Sequence, residues 1–364
     1  MPYERRTPHW HFAFRGSGLI VVYSQYPHCL DDLLLLRDSG VTHVCYAVVS
    51  RHTDWQKTAT MVKSLGMKLV AALPDWCGID FDHKCFQFHV KNGRASRSIA
   101  ECYGPSYWAW LAEYDAMHHP FMQEVAQTLD AVIVAPRWGD VPFPTEWSAA
   151  HLFDFTYPRM YWSFDPWARR AWAKYSDAEM PEFATCDLEG NPERLDFYQW
   201  YQAAWQKRVY KFSEWAMGFG IKDIWTWMVP FNEWTTENMA WGTAGSFPLL
   251  DKWANWVEDR GCKPCFVLAC LWSIWPGRKS GSIDNARRFI EEYKWDVVVG
   301  TEACQSTETL AFNLETLGAH TRGIGARGVF ASDRYIIQPD NQLKAKAALR
   351  MEAVRWRDHL AESE

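Results

Sequence analysis

Two short apolar runs in this chain each end in a carboxylate: Ala131-Val-Ile-Val-Ala-Pro-Arg-Trp-Gly-Asp140 and Trp295-Asp-Val-Val-Val-Gly-Thr-Glu302. Val and Ile runs of this length, apolar without alternation, have the pattern of strands buried on both faces. An acid just past the C-terminal end of such a strand sits where parallel barrels keep their chemistry. Two carboxylates at one barrel mouth are equipment for cleaving a glycosidic bond. One donates a proton to the leaving oxygen, and the other attacks the sugar carbon or activates water. That division needs one carboxyl protonated near neutrality and one ionised. Trp138, Phe143 and Trp147 give Asp140 the apolar surroundings that favour a proton, and Thr301 offers Glu302 a hydroxyl.

The elements that must position these acids alternate along the chain. Strands are expected at 18–23, 44–49, 68–73, 131–135, 223–228, 265–271, 297–300 and 328–332. Helical patterns follow them, over 30–39, 55–65, about 107–129, 166–175, 195–218, 250–259, 283–293, 308–317 and 342–361. Gly40 and Gly66 stand where the first two helices should stop. Eight strands, each with a helix after it, make an α/β fold of the (β/α)8 TIM-barrel type, with long loops after strands 3 and 4. The chain is expected to be one barrel domain over 1–364, with active-face insertions at about 77–105 and 137–193. An open doubly wound sheet lacks support, because Gln25-Tyr26-Pro27 stands where a Gly-rich phosphate loop would follow strand 1.

Composition narrows the partners. A net charge of -6 without a Lys/Arg run leaves no footprint for nucleic acid. No apolar stretch is long enough to span a membrane, and no signal-peptide core is visible, so a cytoplasmic protein is expected. Ten scattered cysteines, with Cys45, Cys270 and Cys304 inside apolar runs, are expected to be reduced core residues. The excess is aromatic: 23 Trp, 15 Tyr and 20 Phe. Trp faces suit the apolar faces of sugar rings, and a Trp-rich core explains any single Trp equally well.

The acids near the C-terminal strand ends are Asp75 after strand 3, Asp140 and Glu146 after strand 4, Glu233 after strand 5, Glu302 after strand 7 and Asp333 after strand 8. Any one of them could be a helix N-cap or a solvated loop charge. Six around one rim exceed what stability asks of that end. Arg137, Trp138, Trp162, Trp227, Trp272 and Trp275 are candidate sugar contacts, and Tyr103 with Asp75 could close the strand 3 side. Arg137 would serve equally as a partner for a buried acid.

With the strands numbered, the chain resembles the (β/α)8 glycoside hydrolases that include family-42 β-galactosidases and, more distantly, family-14 β-amylases. Asp31-Asp-Leu-Leu-Leu-Leu-Arg-Asp-Ser-Gly-Val41 is similar to that group's first helix running into strand 2. Asn92-Gly93 through Cys102-Tyr-Gly-Pro-Ser-Tyr-Trp108 resembles the passage after strand 3. Phe164-Asp-Pro-Trp-Ala-Arg-Arg-Ala-Trp-Ala-Lys-Tyr175 and Phe197-Tyr-Gln-Trp-Tyr201 resemble the helices beyond the acid. The resemblance implies an acid/base after strand 4 and a nucleophile or base at strand 7, hence Asp140 and Glu302. It also implies retention of configuration, although an Asp in place of Glu lengthens the gap and leaves inversion open. The Asn-Glu pair of the galactosidase-like families is missing after strand 4. Gly139-Asp-Val-Pro-Phe-Pro144 is closer to the Gly-Glu-x-x-Tyr-Pro stretch of β-amylases, so the acid is Asp140 or, six residues on, Glu146. Glu233, in the chain's one Asn-Glu, is read as a substrate-binding group.

No cofactor and no metal are expected. Cys262-Lys-Pro-Cys265 has ligand spacing without a second pair, and Cys77, His83, Cys85 and Cys102 are spaced irregularly. The expected partner is an oligosaccharide or glycoside, and a homo-oligomer is compatible with the chain. Two rival readings stay open: a non-catalytic carbohydrate-binding barrel, and a metal-dependent barrel hydrolase or lyase.

Overall fold

The computed structural model describes residues 18–24, 27–46, 54–72, 120–134, 159–160, 166–177, 184–185, 207, 209–228, 247–269, 287, 289–300, 318–319, 321–332 and 342–362. Eight parallel strands close into a barrel: β1 Leu19–Ser24, β2 His43–Tyr46, β3 Lys68–Ala72, β4 Ala131–Ile133, β5 Asp223–Met228, β6 Lys263–Ala269, β7 Asp296–Gly300 and β8 Gly328–Ser332. Each strand pairs with its neighbours in chain order, and β8 closes on β1 with Leu19 opposite Gly328 and Tyr23 opposite Ser332. This is the (β/α)8 fold the sequence predicts, and every strand begins within two residues of its expected start. Outside the barrel, Arg159–Met160 and Ala184–Thr185 form a two-stranded antiparallel ribbon in the second insertion. Strands of two residues carry no periodic signal.

The helices include α1 Leu30–Asp38, α2 Trp55–Ser64, α3 Pro120–Ala126, α4 Pro166–Ser176, α5 at 209–218, α6 Phe247–Glu258, α7 at 289–293 and α8 Gln342–Glu362. The helix expected over 308–317 lies outside the described residues, and helical turns occur at 318–319 and 321–323. Asp54 caps α2 by accepting from the Lys57 N–H at 3.0 Å. Gly40 stops α1 at φ +85, and a Cβ there would lie 2.5 Å from the Cβ of Ala353 on α8. Left-handed backbone and close approach together demand glycine at that position. No helix among the described residues is long and apolar enough to cross a membrane.

The barrel interior is built in layers. The rings of His43 on β2 and Trp225 on β5 lie 6.0 Å apart although those strands are not neighbours, which only the inside of the barrel permits. Strand register then assigns the other inward positions. From the middle downward, four-residue layers from alternate strands run Cys45, Ile133, Val267, Phe330; then Val21, Val70, Trp225, Val298; then His43, Ala131, Cys265, Gly328. Below them the lining turns charged, with Lys68, Asp223 and Asp296 at the strand starts and Arg327 reaching in from just before β8.

His43 sits in the lowest apolar layer, 3% exposed, with Nδ1 2.9 Å from Thr42 Oγ1. Burial, helped by Lys68 and Arg327, pushes its pKa down to about 3. An unfolded histidine titrates near 6.5. The unfolded chain therefore binds the extra proton first, and stability is lost as the pH falls from about 6.5 toward 3. His43→Asn is expected to flatten that loss, by up to about 1.4 kcal/mol per pH unit. Urea midpoints of both proteins between pH 7 and pH 4 check this, and parallel profiles would count against it.

Candidate active site

All eight strands run the same way, so their C-terminal ends meet at one mouth. The uppermost layer described on all four of its strands holds Tyr23 on β1, Ala72 on β3 and Gly300 on β7, with the backbone of Trp227 on β5 completing the ring. Tyr23 packs against Phe330 one layer down, with ring centroids 5.6 Å apart. Opposite positions Ala72 and Gly300 are small, so the floor under the mouth is low along the β3–β7 line.

One side of the mouth is held by a chain of polar contacts. The backbone N–H of His28, in the segment after β1, donates to Tyr46 Oη at 3.3 Å, and His28 Nδ1 lies 3.1 Å from the same oxygen. Tyr46, the last residue of β2, meets Trp55 edge-on at 6.2 Å. Trp55 Nε1 donates to Thr128 Oγ1 at 2.7 Å, and that hydroxyl donates to the Val125 carbonyl at 2.7 Å. The segment leaving β1 is thereby fixed to the end of β2, the start of α2 and the end of α3.

The catalytic candidates follow directly from these strand ends. Glu302 comes two residues after Gly300, which ends β7, and Asp333 comes one residue after Ser332, which ends β8. Asp140 and Glu146 follow β4, Asp75 follows β3, and Glu233 follows β5. These acids lie outside the described residues, together with Tyr103, Arg137, Trp138, Trp162, Trp272 and Trp275. Trp227 is in β5, its backbone paired with Val267.

Most of the described tryptophans take the core role, while Trp167 and Trp256 are half-buried beneath Arg170 and Arg260. Trp55, Trp225, Trp253 and Trp356 are fully buried. Trp225 Nε1 donates to Asp223 at 3.2 Å, Trp253 Nε1 to Ser213 Oγ at 3.0 Å, and Trp295 Nε1 to Asp251 at 3.2 Å. A buried indole wants such an acceptor, and each is supplied from a neighbouring element or strand position.

Cys45, Cys262 and Cys265 are buried free thiols, as expected for reduced core cysteines, whereas Cys29 is exposed. Burial raises the Cys262 and Cys265 thiols above their ordinary range, which leaves both as poor nucleophiles. Among the described residues no group of three or more His, Cys, Asp or Glu side chains is arranged to hold a metal ion. The sequence reading overlooked the charged cluster of Asp223, Asp296 and Arg327 at the other end of the barrel.

No protein-family model and no curated protein matches the chain. Solved structures do. The catalytic domain of β-amylase from Paenibacillus polymyxa superimposes with a TM-score of 0.57 and 13% identity, covering 93% of this chain and 99% of that one. β-Mannanase from the blue mussel Mytilus edulis gives a TM-score of 0.47 at 11% identity, over 92% and 91% of the two chains. A 3-keto-D-glucoside 4-epimerase from E. coli gives 0.43 at 9% identity, over 92% and 99%. At such identities the shared property is architecture: this chain is a (β/α)8 barrel.

Proposed function

We propose that the protein is a glycoside hydrolase acting on an oligosaccharide or glycoside at the C-terminal mouth of the barrel. What supports this reading is sequence position: Glu302 follows the end of β7 by two residues, and Asp140 and Glu146 follow β4, a strand of the same parallel barrel. In the proposed mechanism Asp140 is the general acid/base and Glu302 the nucleophile, with net retention of configuration. Glu146 is the alternative acid. Asp75, Tyr103, Arg137, Trp138, Trp162, Trp227, Glu233, Trp272, Trp275 and Asp333 line the sugar subsites above the floor made by Tyr23, Ala72 and Gly300. The likeness in fold to a β-amylase catalytic domain agrees with the β-amylase-like stretch Gly139–Pro144.

A panel of aryl glycosides tests the reading, because turnover of any of them locates both the sugar and the anomer. The acid is then identified by leaving group. A phenolate that is already a good leaving group needs no proton, so removing the acid should spare kcat/KM on activated substrates and cost roughly 10²–10⁴-fold in kcat/KM on unactivated ones. This pattern is expected for Asp140→Asn and not for Glu146→Gln. The reverse pattern would assign the role to Glu146.

The missing Asn-Glu after β4 favours one other reading, a barrel that binds carbohydrate without cleaving it. Sugar bound intact in the crystal, with no turnover on the panel, would establish that reading in place of the first.

A further inference from the structure

The apolar interior of the barrel stands on a charged floor that the proposed chemistry at the mouth does not use. Asp223 opens β5, Asp296 opens β7 and Arg327 precedes β8, so one side chain ties the starts of three strands. The guanidinium donates to Asp223 through both terminal nitrogens, at 2.7 and 2.8 Å. Its Nε lies 3.4 Å from Asp296. The three side chains are 10%, 17% and 18% exposed for Arg327, Asp223 and Asp296. Two carboxylates therefore draw on one guanidinium in a place with little water.

The remaining groups around Asp296 do not restore the balance. Lys263 on β6 favours the charged form of Asp296, but it and Lys68 on β3 are exposed at the barrel's lower edge, where water weakens their pull. Cys265, one layer above, is a neutral thiol, and the buried His43 imidazole is neutral. Glu258 at the end of α6 adds negative charge, while Asp251 on the same helix accepts from Trp295 Nε1.

We propose that the Asp223–Arg327–Asp296 cluster is a proton-operated latch on the barrel floor. One proton on Asp296 matches the cluster to a single ion pair and tightens the tie among β5, β7 and β8. Loss of that proton to solvent leaves two like charges facing one cation and loosens the tie. The latch is independent of the catalytic reading.

Burial pushes the Asp296 carboxyl up to about 6, against the pull of Arg327. Asp223 goes the other way: burial opposes its charge, yet the Arg327 hydrogen bonds hold it below the ordinary range. An unfolded Asp titrates near 3.9, so the native protein holds more protons than the unfolded chain between about pH 4 and pH 6. This group's contribution to stability is accordingly lost as the pH rises through that window. It opposes the effect of His43, so the test is a difference between two proteins.

Asp296→Asn, which keeps an acceptor without the charge, is expected to raise Tm by several degrees at pH 7. The gap should narrow as the pH falls from about 6 to about 4. A gap of the same size at every pH, or a variant less stable than wild type at pH 7, overturns the latch. Carboxyl 13C resonances of Asp-labelled wild type give a second reading that needs no variant. One aspartate of the folded protein should titrate near pH 6, and finding none that titrates above about pH 5 likewise overturns the proposal.

Discussion

Glu302→Gln is expected to lose about a thousandfold or more of the turnover found with the best aryl glycoside, at little cost in KM or Tm. Glutamine keeps the size and the hydrogen-bonding reach of glutamate. It has no oxygen with the charge to attack the sugar carbon, and it cannot take a proton from water. The loss is therefore one of transition-state stabilisation, which lowers kcat and kcat/KM together. In a retaining enzyme both halves of the reaction pass through this carboxylate, so good leaving groups should not rescue the variant. That separates it from the acid variant, where they should. Stability should hardly move because position 302 follows β7 and adds nothing to the buried run Val297–Gly300. Steady-state kinetics on activated and unactivated substrates, with a thermal melt of each protein, gives the answer. Wild-type-like turnover by Glu302→Gln would remove Glu302 from the mechanism and with it the main support for a glycosidase.

The barrel was legible in the sequence because parallel strands buried on both faces need no partner to be seen. Val297-Val-Val and Ala131-Val-Ile declare themselves by composition, and β5 and β8 match their expected limits residue for residue. Where limits slipped, the cause is local. Strand β6 begins at Lys263 rather than Cys265 because its register against β5 starts with Asp223 opposite Lys263, a pairing of charged residues that apolar composition cannot reveal. The abundance of tryptophan was legible as a fact and ambiguous as a role. Four of the described ones, Trp55, Trp225, Trp253 and Trp295, are core residues whose indole N–H groups find Thr128, Asp223, Ser213 and Asp251. Such acceptors lie up to 73 positions away in the chain, as Thr128 does from Trp55, so only the fold makes the match.

The charged floor was missed for the same reason. Asp223, Asp296 and Arg327 each border an apolar run and look, one at a time, like ordinary polar residues marking where a strand begins. Their meaning depends on the closed barrel, which brings Arg327 across to Asp223, 104 positions earlier in sequence. The mouth differs in kind. Its acids could be nominated from their distance to strand ends, since chemistry at that face is a property of the architecture. Their separation, which decides retention or inversion, depends on the insertions after β3 and β4, where no repeating pattern ties sequence to geometry.

Arg327→Met should be among the most damaging single changes in the barrel, costing about 3–5 kcal/mol at pH 7. Methionine fills much of the same volume, so the cost is electrostatic. Two carboxylates, Asp223 and Asp296, would face each other with the guanidinium gone, and Trp225 Nε1 would still donate to Asp223. The comparison that isolates the cause is Arg37–Asp38, an ion pair of the same 2.7 Å length whose side chains are 43% and 39% exposed. Water already solvates both partners there, so Arg37→Met should cost far less. Arg327→Lys should fall between the extremes, because an ammonium cannot bond both oxygens of Asp223 in the forked geometry. The pH dependence fixes the sign. Without Arg327, Asp223 loses the group that holds its carboxyl low, and both acids can take up protons instead of repelling. The deficit of Arg327→Met should thus shrink as the pH falls from 7 toward 4.5. Urea unfolding at the two pH values measures it. A deficit under about 1 kcal/mol at pH 7 would show that the floor is wet enough to leave its charges unpaired, and it would remove the basis for the latch.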